Sequence, residues 1–171
     1  NREGMSVEVH YFPASLSLGS LSYKNHGKDR YIIFEWNDTK IIVVEGLRAH
    51  TQSDSITTQS EEIFQKIKTI LSKESMYHHE VLRQWNYIGK ITALDNGIQN
   101  YQAFNDVRDR FYAKTNWKKY GYPAATAVGM EINGLIVSLI AISCESTFKI
   151  IPLDNPLQIA PKHYSPSLLP G

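Results

Sequence analysis

Two runs rich in apolar and β-branched residues, Tyr31–Trp36 and Thr39–Leu47, stand either side of Asn37-Asp38. Two residues of that type tolerate positive φ, so the pattern predicts a tight hairpin. Thr51–Thr57 is polar and reads as a loop. Thr58-Gln59-Ser60-Glu61 then fits a capping box, followed by Ile63, Ile67, Ile70 and Leu71 at helical spacing, which predicts a helix to about Lys73. Val81–Ile91 is rich in β-branched and aromatic residues and reads as a strand. Asn100 is placed to cap a second helix with Phe104, Val107 and Phe111 inward. Thr126–Ile132 and Leu135–Ser143 flank Asn133-Gly134, a strong hairpin signal, and are expected to pair.

The predicted order is β-β-α-β-α-β-β. Helices that connect strands pack on a sheet face, so the expected class is α+β: one domain, a mixed sheet, two helices on one face. No helix is left over for the other face. Long apolar strands without that cover predict an oligomer in which sheets pack against neighbouring subunits. The expected organisation is an N-terminal extension over residues 1–29, the domain over 30–150 and a proline-rich segment over 151–171. Five of the seven prolines fall in that last stretch, from Pro152 to Pro170.

Composition narrows the function classes. A chain of 171 residues, 42% hydrophobic, suffices for one full core. Its net charge of +1, with no long run of like charges, argues against a nucleic-acid binder. The single cysteine, Cys144, rules out an internal disulfide framework and suits a reducing, cytoplasmic setting. The longest apolar run, Gly134–Ile142, is too short to span a membrane. Met5 reads as a natural start, with no signal peptide before it. Adjacent His78-His79 point apart on any regular element, and no His-x-x-x-His or Cys-x-x-Cys spacing occurs, so neither a metal site nor a cofactor is expected.

Several motifs occur together in order: Arg83-Gln84-Trp85-Asn86-Tyr87, Phe104-Asn105-Asp106-Val107-Arg108, Pro123 to Gly129, and Asp154-Asn155-Pro156-Leu157-Gln158 with Tyr164. In this combination the chain resembles a single YjgF/RidA-like (chorismate-mutase-like) domain from about Arg30 to Ser143. It is most similar to the chorismatase branch, and within that branch to the C-terminal half of those longer enzymes. The resemblance implies a homotrimer with pockets between subunits. It also implies a small cyclic carboxylic acid as ligand, of the chorismate type.

Chorismatases release pyruvate by protonating an enolpyruvyl ether with a buried carboxylic acid. Asp154 matches that acid, although the family has Glu there and an Arg where this chain has Leu157. A general acid for carbon must be neutral at working pH, which burial achieves. The substrate-binding residues implied are Arg83, Tyr87, Arg108, Ala125, Gln158 and Tyr164. Ala125 stands where the deaminase branch carries a carboxylate-clamping Arg, which disfavours imine deamination. An alternative is a trimeric ligand-binding protein without catalysis.

The same residues have plainer readings. Arg83 is equally an interface arginine, Arg108 part of a solvated charged face with Asp109 and Arg110, and Asp154 a turn residue before Asn155-Pro156. His163 reads as a surface histidine and Cys144 as a small buried thiol.

Overall fold

The computed structural model describes residues 19–117 and 122–145. Its centre is a six-stranded mixed sheet in the order β1-β2-β3-β8-β4-β7. The strands are β1 Ser20–His26, β2 Asp29–Trp36, β3 Thr39–Arg48, β4 Val81–Gly89, β7 Ala124–Met130 and β8 Leu135–Cys144. Two-residue strands β5 (Leu94–Asp95) and β6 (Ile98–Gln99) form a separate small ribbon. Only β4 and β7 run parallel; the other neighbours in the large sheet are antiparallel. Helices α1 (Ile56–Lys73) and α2 (Asn100–Tyr112) cover one face, so the α+β class with a mixed sheet is as expected.

Strand alternation decides which side chains meet the helices. Ile33, Ile42, Val44, Val137, Leu139 and Ala141 point to the helix side and are buried. Ile63, Phe64, Ile67, Ile70 and Leu71 of α1, with Phe104 and Val107 of α2, fill the layer above them. Each buried side chain of this size stabilises the fold by about 1.5–3 kcal/mol. Ile41, Val43, Trp85, Tyr87 and Ile140, at alternate positions, lie on the face that no described helix covers (the helix-free face) and are less buried, whereas Ile32 and Phe34 on that face are buried.

The predicted helices exist, with different starts. α1 begins at Ile56, and its cap is Ser55, three residues before the expected cap Thr58, because the Ser55 side chain accepts from the Thr58 amide. The Thr58–Glu61 pattern lies inside the first turns. Asn100 is the first residue of α2 and not its cap. Its side-chain amide instead donates to the carbonyls of Gly89 and Lys90, tying the helix start to the end of β4. That strand ends at Gly89, two residues before the expected Ile91.

The hairpin at Asn37-Asp38 forms, with Asn37 at φ +53° and Tyr31–Trp36 paired to Thr39–Val44. The expected hairpin at Asn133-Gly134 does not. β7 and β8 are never adjacent; β4 lies between them, parallel to one and antiparallel to the other. β1 and the β5–β6 ribbon were not expected from the sequence. β1 falls within the stretch read as an N-terminal extension and pairs along its whole length with β2.

Candidate functional site

β4 carries a polar core that its sequence does not advertise. Gln84 and Asn86 face the helices and are almost fully buried. The Tyr112 hydroxyl donates to Gln84 Oε1, Gln84 Nε2 donates to Asn86 Oδ1, and Asn86 Nδ2 donates to the Thr126 carbonyl. This relay crosses from α2 through β4 to β7. Each member is satisfied, as buried polar groups must be.

Arg108 is different. Helical spacing sets it one turn beyond Phe104, and both turn inward from α2. Its guanidinium carbon lies 5.9 Å from the Phe104 ring and 5.9 Å from the Tyr122 ring. The residue is only 8% exposed, and its Nε has no hydrogen-bond partner among the described residues. No ion pair to Arg108 occurs among the described residues. A buried unpaired charge costs several kcal/mol, and contact with aromatic faces returns about 2 kcal/mol. The Tyr122 side chain shares a hydrogen bond with Arg108, and no described carboxylate neutralises the guanidinium.

Aromatic rings wall this position. Tyr122 lies 5.7 Å from Tyr112 and 5.0 Å from Trp117, and Tyr112 lies 5.1 Å from Trp117. Burial raises both phenols above their ordinary range, with Arg108 pulling the other way, so Tyr112 and Tyr122 stay protonated at neutral pH. Ala125 pairs with Gln84 across the β4–β7 ladder and shares its helix-side orientation. Arg108 and Ala125 thus belong to the same side of the sheet.

Arg83 and Tyr87 belong to the other. Arg83, Trp85 and Tyr87 alternate with the buried Gln84 and Asn86, so they line the helix-free face. Arg83 donates to Thr126 Oγ1 and stacks over Trp85, its guanidinium carbon 5.2 Å from the ring centre. Beside it Val43, Glu45, Trp85, Tyr87, Ser138 and Ile140 enclose a cavity of about 190 Å³. The two arginines expected to share one ligand are separated by the sheet. A larger open depression, about 510 Å³, lies at the ends of β4 and β7 among Lys90, Thr92, Met130 and Glu131.

Asp154, Gln158, Tyr164 and His163 lie outside the described residues. Among the described residues the buried carboxylates are already engaged. Glu74 accepts from Lys24 Nζ (2.8 Å) and Tyr31 Oη (2.7 Å). Burial pushes its carboxyl up, but those hydrogen bonds and the charges of Lys24 and Lys40 outweigh it and hold the group below the usual range. Glu80 accepts from the Tyr77 amide. Cys144 is buried with its sulfur 3.2 Å from Thr39 Oγ1. No cluster of three potential metal ligands occurs among the described residues, and no described helix is long and apolar enough to cross a membrane.

Tyr122, Tyr112 and Trp117 were not singled out by sequence reasoning, and Gln84 and Asn86 entered only as members of the β4 motif. The aromatic ones recur at five-residue intervals, which no local rule converts into a cage.

Residues 15–141 match the family model described as chorismatase FkbO/Hyg5-like, N-terminal. The chorismatase resemblance is therefore correct in branch and wrong in half: the match is to the N-terminal domain, not the C-terminal one. No curated protein matches the chain. Among solved structures, NMB1025 of Neisseria meningitidis, a member of the YjgF protein family, superposes with a TM-score of 0.53 at 16% identity. That superposition covers 74% of this chain and 98% of the other. Yeast Mmf1 (TM-score 0.46, 21% identity) covers 64% of this chain and 83% of its own. Rv2704 of Mycobacterium tuberculosis, from the YjgF/YER057c/UK114 family, gives 0.47 at 15% identity, with 64% and 82% covered.

Proposed function

Because the chain belongs to the chorismatase FkbO/Hyg5-like N-terminal domain family, we propose that it binds a small cyclic carboxylic acid of the chorismate class, with Arg108 as the anchor. The observation that carries this reading is the buried guanidinium whose Nε lacks a partner. A carboxylate would supply both the missing acceptor and the missing charge, and charge-assisted pairs of this kind are about twice as strong as neutral hydrogen bonds. Tyr122, half-exposed and protonated, would donate a further hydrogen bond and present a ring face to a cyclic ligand.

The second element of the proposal is a homotrimer. Leu21, Tyr23, Trp36, Tyr87 and Val128 are exposed apolar residues, and most lie on the helix-free face together with Arg83 and the 190 Å³ cavity. Packing against neighbouring subunits would cover them. Arg83 and Tyr87 of one protomer would then contribute to a contact between subunits and not to the Arg108 pocket. Sedimentation at 19.5 kDa would end this element of the reading.

Each buried carboxylate among the described residues is ion-paired or hydrogen-bonded, so none of these is placed to be the neutral general acid that cleavage needs. Pyruvate release driven by Asp154, with Gln158 and Tyr164 beside the ligand, is the catalytic version of the same proposal. Incubation with chorismate separates the two: pyruvate above the buffer rate that disappears in Asp154→Asn selects cleavage, and its absence selects binding.

The test of the anchor is Arg108→Met, which keeps the stem and removes the charge. Without ligand the variant should melt at or above the wild-type temperature, since an uncompensated buried charge has gone. With chorismate, the wild type should gain stability and the variant should not. A variant that is less stable alone and still binds chorismate equally well would make Arg108 a packing residue.

A further inference from the structure

His78 opens the 3₁₀ turn His78–Glu80 that leads into β4. Its ring lies 4.3 Å from Phe111 and 6.4 Å, edge-on, from Tyr112, the last two residues of α2. Phe111 in turn lies 4.8 Å from Phe64 in α1. Tyr112 meets Tyr122 at 5.7 Å, and Tyr122 faces Arg108. One imidazole therefore supports the final turn of α2, two ring contacts away from the guanidinium.

The groups around this imidazole offer a proton nothing to pair with. Lys68 reaches it from α1 and His79 from its own turn, both of the wrong sign. The Tyr112 phenol of α2 is neutral, and Glu80 of the same turn is engaged by the Tyr77 amide. No carboxylate pairs with His78 among the described residues. An aromatic face does attract a cation, most strongly when the pair is desolvated. Lost hydration and the Lys68 charge act against it. Burial first, then the charges of Lys68 and His79, hold His78 below its ordinary value.

We propose that His78 is a pH sensor for the anion site: protonation loosens the last turn of α2, Tyr112 and Tyr122 lose their packing, and anion affinity at Arg108 falls. The affinity part rests on the binding function proposed above; the loosening of α2 does not. Because the folded protein disfavours the protonated ring, packing is complete above the ordinary histidine value near 6.5 and declines as pH falls below it. Histidine is the side chain suited to a switch in this range.

Two measurements on the full chain test it, with benzoate as the probe, whose carboxylate stays ionised throughout. Amide hydrogen exchange of residues 104–112, corrected for intrinsic rate, should quicken between pH 7.5 and 5.5 in the wild type and stay flat in His78→Phe and His78→Gln. His79→Gln should behave as wild type. Benzoate affinity should weaken measurably over the same interval and hold constant in both His78 variants. The same exchange profile in wild type and both variants overturns the sensor. A loosening α2 with constant benzoate affinity overturns its link to Arg108. If benzoate does not bind at pH 7.5, the binding function fails while the exchange data still decide whether His78 controls α2.

Discussion

At Asn96-Gly97 both residues take positive φ, +52° and +82°, and the flanking residues Leu94–Asp95 and Ile98–Gln99 pair antiparallel. At Asn133-Gly134 only the glycine does, at +110°, and the strands on either side never meet. The dipeptide is the same; the surroundings differ. After β7, the chain has to step over the end of β4 to reach the strand position beyond it, about 9.5 Å away across two strand spacings. Gly89 makes this possible. A Cβ there would lie 2.4 Å from the Ile132 carbonyl oxygen and 2.7 Å from Gly134 nitrogen. In its absence the Gly89 amide donates to Gly134 O and the Lys90 amide to Met130 O, both at 2.7 Å. One Asn-Gly closes a turn by itself; the other is held by a third strand.

The largest effect should come from removing that allowance. Gly89→Ala sets a methyl against backbone that has nowhere to move, and should cost about 3 kcal/mol or more by urea denaturation. A loss below about 1 kcal/mol would mean that the crossing adapts. Gly134→Ala comes next, at about 2 kcal/mol in the same measurement, because φ +110° is nearly closed to other residues and Gln52 Oε1 would lie 2.3 Å from the new carbon. Gly97→Ala meets open space, leaving only the left-handed backbone cost of about 1 kcal/mol. Equal losses at the two dipeptides would erase the distinction between a free turn and a held one.

Acid sharpens the same comparison, with the smallest effect. Neither dipeptide carries a titratable group, so stability lost at low pH should be alike in the Gly97 and Gly134 variants. Much of it should trace to Glu74, whose carboxyl is held below its ordinary value. For such a group, stability is present above the unfolded value near 4.3 and is lost as pH falls through the folded one. Glu74→Gln should flatten melting temperature between about pH 5 and 3; an unchanged slope would assign the loss to other carboxylates.

What the sequence made legible follows the range of the interactions involved. α1 announces itself because Ile63, Ile67, Ile70 and Leu71 lie within a few turns of one another, and so does the β2–β3 turn at Asn37. The start of α1 was misjudged by three residues because Ser55 and Thr58 are both plausible caps, and the burial of Ile56 and Gln59 decides between them. β1 escaped because nearly all of its residues are exposed, leaving no apolar stripe to read. The insertion of β4 between β7 and β8 joins residues about fifty positions apart, which no window on the sequence contains.

The candidate site divides in the same way. Arg83 and Arg108 were both recognisable as candidates, and strand alternation puts Arg83 on one face with Trp85 and Tyr87. That Arg108 turns inward, against the usual meaning of Arg108-Asp109-Arg110, depends on Tyr122 from beyond the end of α2. The family comparison, by assigning the chain to the N-terminal half, weakens the link between Asp154 and an acid motif taken from the other half.

The strand order has a consequence for how the chain is made. β8 lies between β3 and β4, and its register joins Cys144 to Thr39, about a hundred residues earlier. A growing polypeptide that has not yet supplied β8 holds two unconnected pieces of sheet, each with an open apolar edge. Such late, distant pairing slows folding and leaves edges exposed to other chains. Strand β8, the last of the described strands, is thus the keystone of the sheet, and a chaperone bound during synthesis would have most to protect in the interval just before Leu135–Cys144 is delivered.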